Sequence, residues 1–382
     1  MSRHASISVA VLAAAMFCVV PTGRVEAQPA DRPVAFVHGI SSDGGTWATM
    51  APYLASVYRI RTAQPSLPSS GHAAFESQAV ALKSGLQGDT TQVILVAHSN
   101  GGIVSRLARK NGLDVQSITT MGSTHLGAPL AANVLNGKVG AWGGQLIFKL
   151  TDAFAQAPSS WWSWIRGILN VFRIAADQWV STIQTGISLF TSSWAVLPEM
   201  VPFGAFQSNV IGQPDVHGSP ESAIPNRVSI QVFTQQPTTG IFFAGTLPAH
   251  RTAGIVSRTA TIAIYTMLSK YYQSSAWTAS PYSQKRADHS AAAVRFAAGA
   301  AALLAMDAKW CEGIGAAPAT FTIAPNGCAL SDGVVPLANQ YWTGATSILT
   351  TAAGHGAETS NLGIANIVGT STFDYNFTVP RR

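Results

Sequence analysis

A mostly parallel α/β sheet with helices on both faces is the fold class that this 382-residue sequence predicts. Three observations predict it. Short apolar runs recur along the chain, as at 34–37 and 93–96. Between them lie segments with apolar residues at helical spacing, as at Phe75, Ala79, Leu82 and Leu86. Strands apolar on both faces that alternate with helices belong to parallel sheets, because each crossover lays a helix on one face. The third observation is a run of small residues where one strand meets its helix, Ala97-His98-Ser99-Asn100-Gly101-Gly102.

In chain order, 34–37 reads as a central strand that ends in His38-Gly39-Ile40 and the polar turn Ser41-Ser42-Asp43-Gly44-Gly45. Residues 47–57 read as a helix capped by Asp43 or Thr46. A short strand at 58–62, a Pro-rich loop at 65–70 and a helix at 73–86 follow. The strand 93–96 leads through the small-residue turn into a helix at 100–110, which Ile103, Val104 and Leu107 face inward. Residues 115–121 and the alternating 227–233, bounded by Pro225 and Pro237, are further strands. Ser347-Ile348-Leu349 is strand-like.

Two insertions interrupt this core, which is expected over 28–129 and 226–382. The first, 130–225, holds five of the ten tryptophans between Trp161 and Trp194. Trp161, Ile165, Ile168, Phe172, Trp179, Ile183, Ile187 and Phe190 recur at steps of three, four or seven, and Trp162, Trp164, Leu169 and Val171 widen the stripe. That pattern predicts a Trp-rich helical cap or lid whose apolar face covers an acyl pocket in water and meets lipid when open. The alternative is a cap helix packed as ordinary core. The second insertion, about 235–330, is helical at 254–272 and in the Ala-rich 290–310. Arg295 interrupts the latter and Asp307 and Lys309 close it, too early for a membrane span, so it reads as a buried helix of a soluble domain.

The first 27 residues read as an export signal: Arg3 and His4, an apolar stretch over 9–20, and small residues in Val25-Glu26-Ala27. The stretch is too short to span a bilayer. Residues 15–17 before Cys18 do not form a lipoprotein box, so release to the exterior, or to the periplasm if retained, is expected over a lipid anchor. Export leaves Cys311 and Cys328, which in an oxidising compartment pair as a disulfide and steady the loop around Asp332. Only 10% of residues are charged, against about 25% in ordinary globular chains. Net charge is +6, but the basic residues are scattered, which excludes a nucleic-acid footprint. Two cysteines are too few for a zinc site, and no other His/Cys spacing suggests a metal.

The chemistry-bearing segments are four. Ser99 sits where a buried strand turns sharply into a helix, the context of a nucleophile elbow; Ala97 stands where a glycine is usual and is still small. Acyl transfer needs two N–H donors aimed at the oxyanion, and Ile40 and Asn100 are placed to supply them. Ser331-Asp332-Gly333-Val334-Val335-Pro336 can present a carboxylate, and Ala353-Gly354-His355-Gly356 can fold a histidine over the sheet edge. Ser99, then Asp332, then His355 is the chain order of α/β-hydrolases, not of the other two common serine-hydrolase orders.

Over 33–130 and 329–360 the chain resembles the α/β-hydrolase superfamily, and within it the secreted bacterial lipases and esterases. The His-Gly strand end, the Ala-His-Ser-x-Gly-Gly elbow, the Asp-Gly-x-Val loop, the late Gly-His and Thr124-His125-Leu126-Gly127-Ala128-Pro129 carry the resemblance. It implies a carboxylic-ester hydrolase with Ser99, Asp332 and His355 as its triad, an acyl-ester substrate drawn from a lipid–water interface, and no cofactor. A structural calcium ion occurs in some similar lipases, and no acid cluster here supplies ligands for one. The same triad serves an aliphatic polyester depolymerase or a phospholipase. A different class, a non-catalytic relative that binds lipid surfaces, would not need all three residues. Asp307 and Glu358 are the alternative acids, and His250 and His289 the alternative bases; His98 and His125 are expected to pack or hydrogen-bond near the strand ends.

Overall fold

The structure is a computed structural model that describes residues 33–87, 92–155, 194–202, 221–234, 248–316, 328 and 330–374. The expected leader and the Trp161–Phe190 stripe lie outside the described residues. Six strands, β1 (Val34–Val37), β2 (Thr62–Ala63), β3 (Val93–His98), β4 (Val115–Met121), β5 (Asn226–Phe233) and β6 (Ser347–Ala352), form one sheet in the order β2-β1-β3-β4-β5-β6. Every pairing is parallel. Helices cover both faces, so the fold is the parallel α/β class that the sequence predicts.

The apolar runs explain themselves once the faces are separated. Side chains alternate along a strand. Ala35, Val37, Val93, Leu95 and Ala97 meet α2 (Phe75–Leu86) and α3 (Gly101–Lys110) through Phe75, Leu82, Ile103 and Leu107. Val34, Phe36, Ile94 and Val96 meet the opposite layer, α1 (Met50–Tyr58) and the C-terminal helix Leu362–Val368, through Met50, Leu54, Ile364 and Val368. Both sets are buried, so β1 and β3 lack the alternation of a half-exposed strand. β6, at the sheet edge, shows that alternation.

Several boundaries differ from the sequence reading. The helix expected from residue 47 begins at Met50, because Asp43 accepts the Gly45 N–H at 2.8 Å and caps a separate 3₁₀ turn, Gly44–Trp47. That helix then runs to Tyr58, which displaces the short strand to Thr62–Ala63. The Ala-rich helix is longer than expected and only half buried.

Residues 129–155 contribute α4 (Pro129–Leu135) and α5 (Lys138–Ala155), and the second insertion forms two long helices, α6 (Pro248–Thr278) and α7 (Gln284–Gly313). α5 packs with this hairpin in a core of its own: Leu146 and Leu150 against Tyr265, Tyr272, Phe296 and Leu303. The buried Tyr265 hydroxyl donates to the Leu150 carbonyl at 2.6 Å, and Asp152 pairs with Arg295 at 3.2 Å. The two insertions thus meet over one apolar centre. α7 is the one helix among the described residues long and apolar enough to cross a membrane. Its inner face packs here, while Val294 and Leu304 are exposed, so the expectation of a buried helix is corrected to a helix packed on one face.

At its C-terminal end α7 reaches the loop that carries Asp332. The buried Trp310 indole donates to the Gly333 carbonyl at 2.9 Å, and Cys311 is disulfide-bonded to Cys328. Replacing both cysteines with alanine should therefore destabilise the fold by about 3 kcal/mol. Denaturant unfolding under oxidising conditions checks this: reductant should lower the wild-type midpoint to that of the variant and leave the variant unmoved.

Candidate active site

The chain passes from β1 to β2 on one side and returns to β3 on the other, so β1 and β3 bound the switch point of the sheet. Clefts in open parallel sheets form at the carboxyl ends of such strands. Ser99 follows β3 at that place. Its φ is 55°, in the left-handed region that costs a non-glycine residue about 1–3 kcal/mol. The turn is held by the Ser99 N–H donating to Met121 O at 3.0 Å and the Gly102 N–H donating to Ser99 O at 3.1 Å. α3 begins at once, packed against the end of β1. A Cβ on Gly101 would lie 2.5 Å from the Val37 carbonyl oxygen and 2.7 Å from that of His38. A Cβ on Gly39 would lie 2.6 Å from Cβ of Ser99. Glycine at both positions is what lets strand, turn and helix converge.

The His38-Gly39-Ile40 turn faces this elbow. His38 is buried, and its Nε2 accepts the Leu67 N–H at 2.9 Å. A backbone N–H can only donate, so the hydrogen is on Nδ1, which donates to the Gly39 carbonyl at 2.8 Å. Burial lowers the His38 pKa and favours this neutral form. The imidazole thus ties the turn to the Leu67 loop. Among the described residues, no acceptor bonds the N–H of Ile40 or of Asn100.

Ser99, Asp332 and His355 lie 233 and 23 residues apart in sequence and are brought together here. His355 Nε2 is 3.0 Å from Ser99 Oγ, and His355 Nδ1 is 2.8 Å from Asp332 Oδ2. Asp332 is buried, and its other oxygen accepts the N–H groups of Val334 at 2.8 Å and Val335 at 2.7 Å. The Gln340 side chain donates to Oδ2 at 3.2 Å, and the His355 N–H donates to the Asp332 carbonyl at 2.9 Å. The carboxylate is therefore fixed in position before any ligand arrives.

Of the two alternative acids, Glu358 also reaches the histidine. Its Oε1 is 3.5 Å from His355 Nδ1 and its Oε2 is 3.3 Å from His98 Nε2. Asp307 is buried in α7. Burial opposes a charge on His355, but Asp332 and Glu358 outweigh it and hold the imidazole pKa well above 6.5. Burial pushes the Asp332 carboxyl upward, with the His355 contact acting the other way.

The other histidines have other work. His125 is buried against Trp342, accepts from Arg106 at 3.3 Å, and lies 3.0 Å from Thr120 Oγ1. Burial drives its pKa well below 6.5, with Arg106 adding to the effect. His289 packs against Tyr272 inside the helical hairpin. The His250 side chain lies outside the described residues. The His98 ring is tilted by 40° against that of His355, with ring centroids 4.7 Å apart.

No family model matches the chain, and no curated protein does. Solved structures do. A mature lipase of Bacillus licheniformis is 15% identical over 92% of this chain and 94% of its own, with a TM-score of 0.45. For the propeptide form of that lipase the values are 14%, 92% and 51%, with a TM-score of 0.44, so the chain spans about half of that form. A pyrethroid hydrolase of Sphingobium faniae is 19% identical over 28% of this chain and 46% of its own, with a TM-score of 0.24. At these values the likenesses add no weight to the site, which stands on the distances above.

The close approach at Gly101 has a direct consequence. In Gly101→Ala, the new methyl meets backbone oxygens that cannot move aside. Stability should fall by about 1–3 kcal/mol, and Ser99 should be displaced from His355. Thermal denaturation together with ester turnover checks this, with both expected to fall.

Proposed function

We propose that the protein is a serine carboxylic-ester hydrolase. One observation carries the reading: a serine in a strained turn whose Oγ lies 3.0 Å from an imidazole, which is held from behind by a buried carboxylate at 2.8 Å. The Ser99 hydroxyl attacks the ester carbonyl while His355 Nε2 takes its proton. Asp332 holds the Nδ1–H tautomer and stabilises the imidazolium that forms. The Ile40 and Asn100 N–H groups donate to the developing oxyanion. His355 then returns the proton to the departing alkoxide, leaving an acyl group on Ser99. Water, deprotonated by the same histidine, releases the acid and restores the serine. Every proton and bond in this cycle is accounted for by protein groups, ester and water.

Acyl esters of lipids are the substrate class we assign, by resemblance to the secreted lipases and esterases. The Cys311–Cys328 bridge fits an oxidising compartment, and with the leader-like N-terminus it supports export.

Ser99→Ala should abolish hydrolysis of p-nitrophenyl esters without changing the circular-dichroism spectrum; substantial residual turnover in a folded variant would refute the nucleophile. Asp332→Asn should lower turnover by at least about 10²-fold. A chain-length series of these esters, with and without emulsified triglyceride, tests the lipid assignment.

The pH dependence follows from His355. Only the neutral imidazole can take the serine proton, and its pKa is held above 6.5. The acid limb of kcat/KM, which reports the free enzyme, should therefore lie above pH 6.5, with activity lost as pH falls through it. A limb centred below 6.5 would contradict the two-carboxylate environment.

A further inference from the structure

We propose that Glu358 is a positioning residue for this base catalysis: its buried carboxylate is a second anchor beside His355 Nδ1, flanked at its far oxygen by His98. The inference rests on the hydrolase reading above but concerns a group that a three-residue triad leaves out.

Local geometry brings the pair together. His355 and Glu358 belong to one 3₁₀ segment, His355–Ser360, and in a 3₁₀ helix side chains three apart eclipse one another. Glu358 is fully buried, a costly place for a carboxylate with no partner. A site has been kept for it. Gly122 follows β4 with φ of 55°, and a Cβ there would lie 2.3 Å from Glu358 Oε2 and 2.6 Å from Oε1. Any other residue at 122 would expel the carboxylate.

His98 closes the far side. Its Nε2 is 3.1 Å from the His355 carbonyl oxygen and 3.3 Å from Glu358 Oε2. The carbonyl is an acceptor, so Nε2 carries the hydrogen and donates it there, while the Glu358 carboxylate lies beside the ring without a hydrogen-bond partner among the described residues. His98 therefore holds the segment through the backbone of His355 and stands 3.3 Å from the Glu358 carboxylate. Burial works against the charge of Glu358, yet the contacts with His355 and His98 outweigh it and hold its carboxyl below the ordinary range.

The consequence is electrostatic. Two buried carboxylates face one imidazole, Asp332 at 2.8 Å and Glu358 at 3.5 Å. The other groups in contact with the His355 ring are Ser99 and His98; His38, hydrogen-bonded to Gly39 and Leu67, is within electrostatic reach of His98 and Asp43. A second negative charge stabilises the imidazolium that forms as Ser99 attacks. It also means that the free base is reached only at higher pH. Removing the Glu358 charge should lower the His355 pKa and move the acid limb to lower pH.

The test is the titration of His355, followed by the imidazole NMR signals of histidine-labelled full-length protein in a Ser99→Ala background. Glu358→Gln keeps the shape and removes the charge; the His355 pKa should fall by about one to three units, the shift that one close charge produces. In the variant with Ser99 intact, the acid limb of kcat/KM should move down by the same amount. Gly122→Ala, which pushes the carboxylate aside without removing it, should move both in the same direction. A folded Glu358→Gln protein with an unmoved titration overturns the role of Glu358 and leaves the triad standing. Activity that survives Ser99→Ala overturns the catalytic reading, and this inference with it.

Discussion

The convergence of three backbones at Ser99 is the constraint on which the rest of the site depends. β1, β3 and the first turn of α3 approach so closely that Gly39 and Gly101 have no room for a methyl group. Ser99 is left in a left-handed conformation, with Gly39 packed against it and its hydroxyl within reach of His355. Strain of this kind persists only where packing over-determines the turn. The packing is there: β1 and β3 are buried on both faces, and α3 is buried along nearly its whole length. The large apolar investment in the sheet centre thus has a local purpose, to hold one hydroxyl where an imidazole can reach it.

The acid and base are held differently, by hydrogen bonds rather than by apolar packing. Asp332 accepts from two backbone N–H groups, Gln340 and His355, while its loop is pinned by Trp310 at the end of α7. The disulfide beside Trp310 ties the long helical hairpin to the same loop. His355 is fixed through its own backbone N–H, through its carbonyl by His98, and at Nδ1 by Asp332, with Glu358 beside the same nitrogen. Desolvation alone would discharge these groups; their mutual contacts keep them ionisable and set the direction of the shift at the histidine.

Much of this arrangement was legible in the sequence, and the reasons are physical. β1 matches the expected bounds because a strand buried on both faces leaves an unbroken apolar run, and β4 matches them although Ser117, Thr119 and Thr120 are buried in it. The elbow was legible because its small residues are required by close approach, and Ser99, Asp332 and His355 do meet. Less legible were features decided by capping or by tertiary contact. Asp43 caps a 3₁₀ turn rather than the helix, a choice between two local hydrogen-bond patterns that the residues alone do not decide. The docking of α5 onto α6 and α7 depends on packing between distant segments. Glu358 could be seen only as a rival acid, because His-Gly-Ala-Glu brings its ends together in a 3₁₀ turn but not in an extended loop. The Trp-rich stripe, expected to be a lid, lies outside the described residues.

The central claim is that His355 makes Ser99 a nucleophile. Labelling the full-length protein with a fluorophosphonate, followed by peptide mass mapping, tests it most directly, because only an activated serine reacts at a useful rate. The account predicts one modified residue, Ser99, with labelling that disappears in His355→Ala and weakens as pH falls through the histidine pKa. A folded wild-type protein that takes no label, or that carries it on another serine, would contradict it.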